Sequence, residues 1–144
     1  MKIIGDDAIL ELDILEKEHP ESEDAWDQKW LKINIQGRFE GFRAYFGACL
    51  MIDEFDAFIG SISKVLDVQK GIVALHTVEE AIYLRGEVDY TGNIEWTGVL
   101  TYPVGIGNKL HFAFKTDFYQ LQRIKDNLTR EVSNYRSLGG VVNI

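Results

Sequence analysis

An α+β fold is what the sequence predicts: a curved antiparallel sheet of about seven strands carrying two helices. Three observations predict it. Apolar and polar residues alternate over several short segments, the period of a half-buried strand. Two other stretches switch to helical spacing. The order is three strands, a helix, four strands and a helix, with turn residues between most of the strands, as in antiparallel meanders. A chain of 144 residues suits one domain over 1–144, with a folded core over 1–132 and a tail over 133–144 that follows no clear pattern.

The first strand runs from Ala8 to Leu15, with Leu10, Leu12 and Ile14 on one side and Glu11 and Asp13 on the other. Glu16 to Gln28 is acidic, contains Pro20 and is expected to form a long surface loop, a length that is uncommon unless the loop has a function. Alternation resumes from Trp30 through Leu31, Ile33 and Ile35, and Gly37 marks the turn of a hairpin. Phe42 to Ile52 is apolar at both parities, as expected of a central strand covered on both faces, with Cys49 buried in it.

At Asp53 the period changes. Phe55, Phe58, Ile59, Ile62, Val65 and Leu66 share one helical stripe, and Asp53 is placed to cap the first turn. Four strands follow at Ile72 to His76, Ala81 to Val88, Ile94 to Thr101 and Leu110 to Lys115, with turns at Gly92-Asn93 and from Pro103 to Asn108. A second helix begins at Thr116 or Asp117 and ends near Val132, with Phe118, Leu121, Ile124, Leu128 and Val132 on one side. The two halves echo each other in element order, without a residue-level repeat.

Composition narrows the functional classes. A formal net charge of -8 repels phosphate backbones and anionic lipid, so direct nucleic-acid binding is disfavoured and basic partners are favoured. No apolar run approaches the roughly 20 residues of a membrane-spanning helix, and the start turns acidic where a signal peptide would turn apolar. Cys49 is the only cysteine, so no intrachain disulfide can form. A cytoplasmic setting without membrane contact is expected. The charge is also uneven: Asp6, Asp7, Glu11, Asp13, Glu16, Glu18, Glu21, Glu23, Asp24 and Asp27 face only Lys17 within their stretch.

Catalytic chemistry has little support. His19, His76 and His111 show no zinc-ligand spacing, so no metal or cofactor is expected. His76 and His111 are read as hydrogen-bonded structural residues and His19 as solvated. Gly105-Ile106-Gly107-Asn108 precedes a strand rather than a helix, which makes it a hairpin turn and not a phosphate loop. Ser61, Ser63 and Cys49 have no identifiable activating partner, and no pair among the 23 acidic residues stands out. No catalytic residue is nominated. Trp30 is expected to anchor its turn in the core, with Trp26 either capping the sheet or standing at a partner surface.

The stretch Asp24-Ala25-Trp26-Asp27-Gln28-Lys29-Trp30-Leu31-Lys32-Ile33 is the most distinctive in the chain. Together with Gly37-Arg38-Phe39-Glu40-Gly41-Phe42-Arg43-Ala44 and Glu54-Phe55-Asp56-Ala57-Phe58, it resembles the WapI-type immunity proteins of bacterial polymorphic toxin systems. That resemblance implies a cytoplasmic, non-enzymatic protein that binds the C-terminal toxin domain of a contact-delivered toxin and blocks it. In this family the toxin domain can be an RNase, and a basic RNA-cutting domain would suit an acidic inhibitor. Charge and loop placement, not the resemblance, nominate Glu18, Glu21, Glu23, Asp24, Trp26 and Asp27 as the toxin-binding residues. A small-molecule carrier or sensor with a pocket lined by Phe46, Trp96, Phe112 and Phe114 is the alternative. A hydrolase would require a converging cluster of carboxylates or histidines.

Overall fold

The computed structural model describes residues 1–136. The tail expected over 133–144 therefore lies mostly outside the described residues. Eight strands and two helices follow one another as β1 (Lys2–Gly5), β2 (Ala8–Lys17), β3 (Trp30–Phe39), β4 (Phe42–Met51), α1 (Ile52–Val68), β5 (Ile72–His76), β6 (Ile82–Val88), β7 (Asn93–Tyr102), β8 (Asn108–Asp117) and α2 (Gln120–Ser133). The α+β class holds. The strands form two four-stranded antiparallel sheets, β1-β2-β3-β4 and β5-β6-β7-β8, rather than one. The echo between the halves is thus structural, since each half is a four-strand meander followed by a helix.

Alternation sets the faces. Leu10 and Leu12 in β2, Leu31, Ile33 and Ile35 in β3, and Phe46 and Leu50 in β4 are buried, while Asp13, Lys32, Gln36, Arg38, Arg43 and Tyr45 face solvent. One hydrophobic cluster joins these residues to Val73, Leu84, Trp96, Phe112 and Phe114 of the second sheet, Phe55, Phe58, Ile62 and Val65 of α1, and Leu121, Ile124, Leu128 and Val132 of α2. Both helical stripes read from the sequence are therefore core. The sheets adjoin where β1 meets β8: Asp6 N donates to Lys115 O at 3.4 Å.

Several expectations are corrected by the packing. The extra strand, β1, is too short for alternation to register. β4 is an edge strand of its sheet, not a central one; its outward parity carries Tyr45, Gly47 and Cys49, so apolar composition there does not mean burial. Cys49 is half-buried. Gly37 is inside β3, where a Cβ would come within 2.7 Å of the Phe39 ring; the turn is made by Glu40 and Gly41, the latter at φ +81. Helix α1 is capped by Glu54, whose carboxylate accepts from Met51 N at 2.8 Å, while Asp53 pairs with Lys29 at 3.1 Å. The strand β8 continues through Asp117, and α2 starts at Gln120, whose N donates to Asp117 Oδ1 at 3.1 Å. Gly105 turns a hairpin at φ +84, as the strand after it requires.

Candidate functional site

The acidic segment is shorter and more ordered than a free loop. Strand β2 continues through Lys17, Glu18 N donates to Trp30 O at 3.0 Å, and the connection closes with a 3-10 turn over Asp27–Lys29. Asp24 shapes this turn, since its Oδ1 accepts from Trp26 N at 2.7 Å and Asp27 N at 3.2 Å. Ser22 Oγ donates to Asp27 Oδ2 at 2.8 Å, the Gln28 amide donates to Ser22 O, and Lys17 Nζ donates to Gln28 Oε1 at 2.6 Å. Polar side chains that bond their own backbone in this way hold a conformation that chain length alone would leave loose.

The six nominated residues consequently divide. Asp24 and Asp27 are shape-giving. Glu21 and Glu23 are exposed, and among the described residues neither has a hydrogen-bond or ion-pair partner in the fold. Trp26 is 56% exposed and packs edge-on against Trp30, with ring centroids 6.1 Å apart. Trp30 is half-buried rather than part of the core. Glu18 directly follows β2 and lies close enough to Cys49 of β4 to act on its thiol.

A second segment meets the first, and nothing in the sequence announced it. The β5–β6 connection brings Val78 and Glu79 to the same end of the molecule, held by Val78 N donating to Glu54 Oε2 at 2.6 Å. Between the two segments lies an open hollow of about 470 Å³, lined by Trp26, Met51, Glu54, Ala57, His76 and Val78. Val78 is 71% exposed.

Carboxylates outnumber cations here: Asp53, also on the lining, pairs with Lys29, whereas Glu54 and Glu79 have no cationic partner among the described residues. Partial shielding, then the charges of Glu18 and Glu54, raise the pKa of Glu79 above its ordinary value. Burial, a hydrogen bond to Glu18, and the charges of Glu18 and Glu79 push the Cys49 thiol up to about 12, so it is protonated and unreactive at neutral pH. The local field thus favours an incoming positive group.

Other candidate chemistry is accounted for by the fold. His76 and His111 lie exposed on the outer face of the second sheet. Neither makes a side-chain hydrogen bond among the described residues, contrary to the structural role expected of them; His76 instead meets the Tyr83 ring edge-on at 4.6 Å. Ser61 and Ser63 donate to the helix carbonyls of Phe58 and Ile59. Trp96, Phe112, Phe114 and Phe46 are buried, and Trp96 Nε1 donates to Thr116 Oγ1 at 2.9 Å. Phe39 stacks on Phe112 at 4.6 Å, so these rings fill one another's space instead of enclosing a ligand. Among the described residues no group of three or more His, Cys, Asp or Glu is placed to hold a metal ion, and no helix is long and apolar enough to cross a membrane.

Comparison with known proteins adds two findings. The family model described as the immunity protein WapI-like family matches residues 2–136. No curated protein matches the chain. Among solved structures, the MRP1/MRP2 proteins of Trypanosoma bruciei align with a TM-score of 0.50 at 9% identity, over 92% of this chain and 82% of that one. A guide-RNA-binding protein complex bound to a guide RNA aligns with a TM-score of 0.51 at 8% identity, over 92% and 88%. At such identities the likeness is one of fold.

Proposed function

The chain belongs to the immunity protein WapI-like family, and on that premise we propose that it captures and neutralises a cognate toxin domain in the cytoplasm, acting by binding rather than by chemistry. The surface we assign to the toxin is the acidic connection with the hollow behind it: Glu18, Glu21 and Glu23 outside, Trp26 at the rim, and Val78 and Glu79 opposite. Asp24 and Asp27 give it shape. One observation carries this assignment: an exposed indole stands at a hollow beside which Glu54 and Glu79 have no cationic partner among the described residues, Asp53 of the lining being paired with Lys29. A basic toxin domain, such as one that cuts RNA, fits it in charge. The guide RNA named for the fold relative belongs to that protein; here a net charge of -8 favours a protein partner over an RNA.

Co-expression with the toxin domain encoded beside the gene, followed by capture and a growth-rescue assay, tests the proposal. A stoichiometric complex together with rescue is expected. If no neighbouring toxin domain is bound or neutralised, the proposal fails. Because Glu21 and Glu23 support nothing in the fold, Glu21→Lys with Glu23→Lys should change stability by less than about 0.5 kcal/mol. The same pair should slow association by about tenfold at low salt, an effect that shrinks as ionic strength rises.

Glu79 supplies a pH signature. Its folded pKa is raised, so its contribution to the free protein's stability is fully present below the ordinary glutamate range and is lost as pH rises through the raised value. A toxin cation docked beside it favours the carboxylate, lowers that pKa and releases a proton on binding. Affinity should therefore fall as pH is lowered through the acid range. Calorimetric titration in buffers of different ionisation enthalpy would register the released proton, and Glu79→Gln should abolish that part of the signal.

A further inference from the structure

Strand β4 is the long open edge of the molecule. It pairs with β3 residue by residue from Met51 to Phe42, with no bulge. Among the described residues no backbone bond outside that ladder involves Phe42–Leu50. Arg43 is its only charged residue and it contains no proline, so apart from that one charge it has none of the usual devices that keep an edge from pairing. The other outer strands differ: β1 has 4 residues, β5 has 5, and β8 adjoins β1. Beside the β4 edge runs an apolar trough of about 330 Å³, lined by Ala44, Phe46, Leu100, Tyr102 and Leu110. Phe42 and Tyr45 stand exposed along it.

The edge is also electrically two-ended. At its start Arg43 lies directly opposite Arg38, an unfavourable pairing of like charges, with Lys109 across the trough. Neither arginine has an ion-pair partner among the described residues. At its other end Cys49 sits in the field of Glu18 and Glu79, offset in part by Lys32, which lies opposite it on β3 and is itself paired with Glu16 at 3.5 Å. An acidic partner would satisfy only the first end and a basic one only the second, whereas an antiparallel copy of the same strand satisfies both.

We propose that β4 pairs antiparallel with β4 of a second copy of this chain, about a two-fold axis at Phe46, making one continuous eight-stranded sheet. Residues facing each other across strands must share a face, so their positions must have equal parity. The axis at Phe46 meets this condition and sets Arg43 opposite the copy's Cys49, next to the copy's Glu18 and Glu79. It also sets Tyr45 opposite the copy's exposed Gly47, and Ala44 opposite the copy's Ala48. Large meets small and cation meets carboxylate, twice over, which is the self-complementarity that an isologous interface requires. Glu18 and Trp26 lie at the same end as Cys49, so self-pairing and toxin capture exclude one another there.

Sedimentation of the full chain, without toxin, from low to high micromolar concentration is the test. A concentration-dependent dimer that weakens with added salt is expected. Gly47→Lys should disrupt it, because it sets a cation diagonal to the copy's Arg43 and to its own symmetry mate, while leaving the melting temperature of the monomer in place, because a Cβ at Gly47 has nothing nearer than Ile33 O at 3.8 Å. Arg43→Glu, at an exposed position, should weaken dimerisation by about tenfold or more, and adding Glu18→Arg should restore it. A chain that stays monomeric throughout, or a dimer indifferent to both Gly47→Lys and Arg43→Glu, overturns the proposal. Since no toxin enters the experiment, its outcome is independent of the immunity assignment.

Discussion

Replacing Glu54 with alanine should destabilise the protein by about 2–4 kcal/mol and lower its melting temperature by roughly 6–15 °C. Glu54 is 9% exposed, and its carboxylate accepts from two backbone donors, Met51 N at 2.8 Å and Val78 N at 2.6 Å. Alanine leaves both N–H groups without a partner, Met51 N in a buried setting, and removes the cap of α1 as well. The damage has a location. Val78 and Glu79 hang from this contact, so amide exchange at Val78 should accelerate more than in the centre of either sheet. Glu54→Gln keeps one acceptor and should cost about half as much; it also removes one of the charges that raise Glu79, whose carboxyl should then titrate lower. Thermal melts of the two variants, with amide exchange at Val78, check each step. Equal melting temperatures for wild type and Glu54→Ala would show that the cap is dispensable.

Glu54 also shows where sequence reasoning reached its limit. The start of α1 was legible to within a residue, because the change from a period of two to 3.6 depends only on neighbouring side chains. Asp53 and Glu54 are both acidic and both at that start. Deciding which one caps requires knowing that Val78, 24 residues later, comes back to share the carboxylate. Edge and centre are indistinguishable for the same reason: Phe42 to Met51 reads as covered on both sides, and only the position of the second sheet shows that Tyr45, at 69% exposed, is not. Within the candidate site, Glu21, Glu23 and Trp26 were readable from charge and residue type. The structural duty of Asp24 and the convergence of Glu79 were not, since both depend on where turns fold in space. Resemblance over the tryptophan-bearing segment pointed to the family, and the match over residues 2–136 agrees with it.

Trp26→Ala should cost the toxin complex about 2–4 kcal/mol, roughly 30- to 1000-fold in Kd, with almost no effect on folding. Its ring is already more than half exposed and rests only edge-on against Trp30, so removing it empties little of the interior. The turn that carries it is held by Asp24 through backbone N–H groups, which alanine retains. In the complex the same ring would lose its water against the toxin, and large aromatic side chains surrounded by polar rims are where binding energy concentrates. The kinetic split distinguishes this role from that of the carboxylates. Losing Glu21 and Glu23 should slow association, whereas losing Trp26 should leave association nearly unchanged and speed dissociation. Measuring both in the Gly47→Lys background removes any contribution from self-pairing, and Tyr90→Ala, which truncates the fully exposed tyrosine of the β6–β7 turn, serves as the control for loss of a surface ring. If Trp26→Ala binds as tightly as wild type in that background, the hollow is not the toxin's seat, and the acidic connection contributes charge alone.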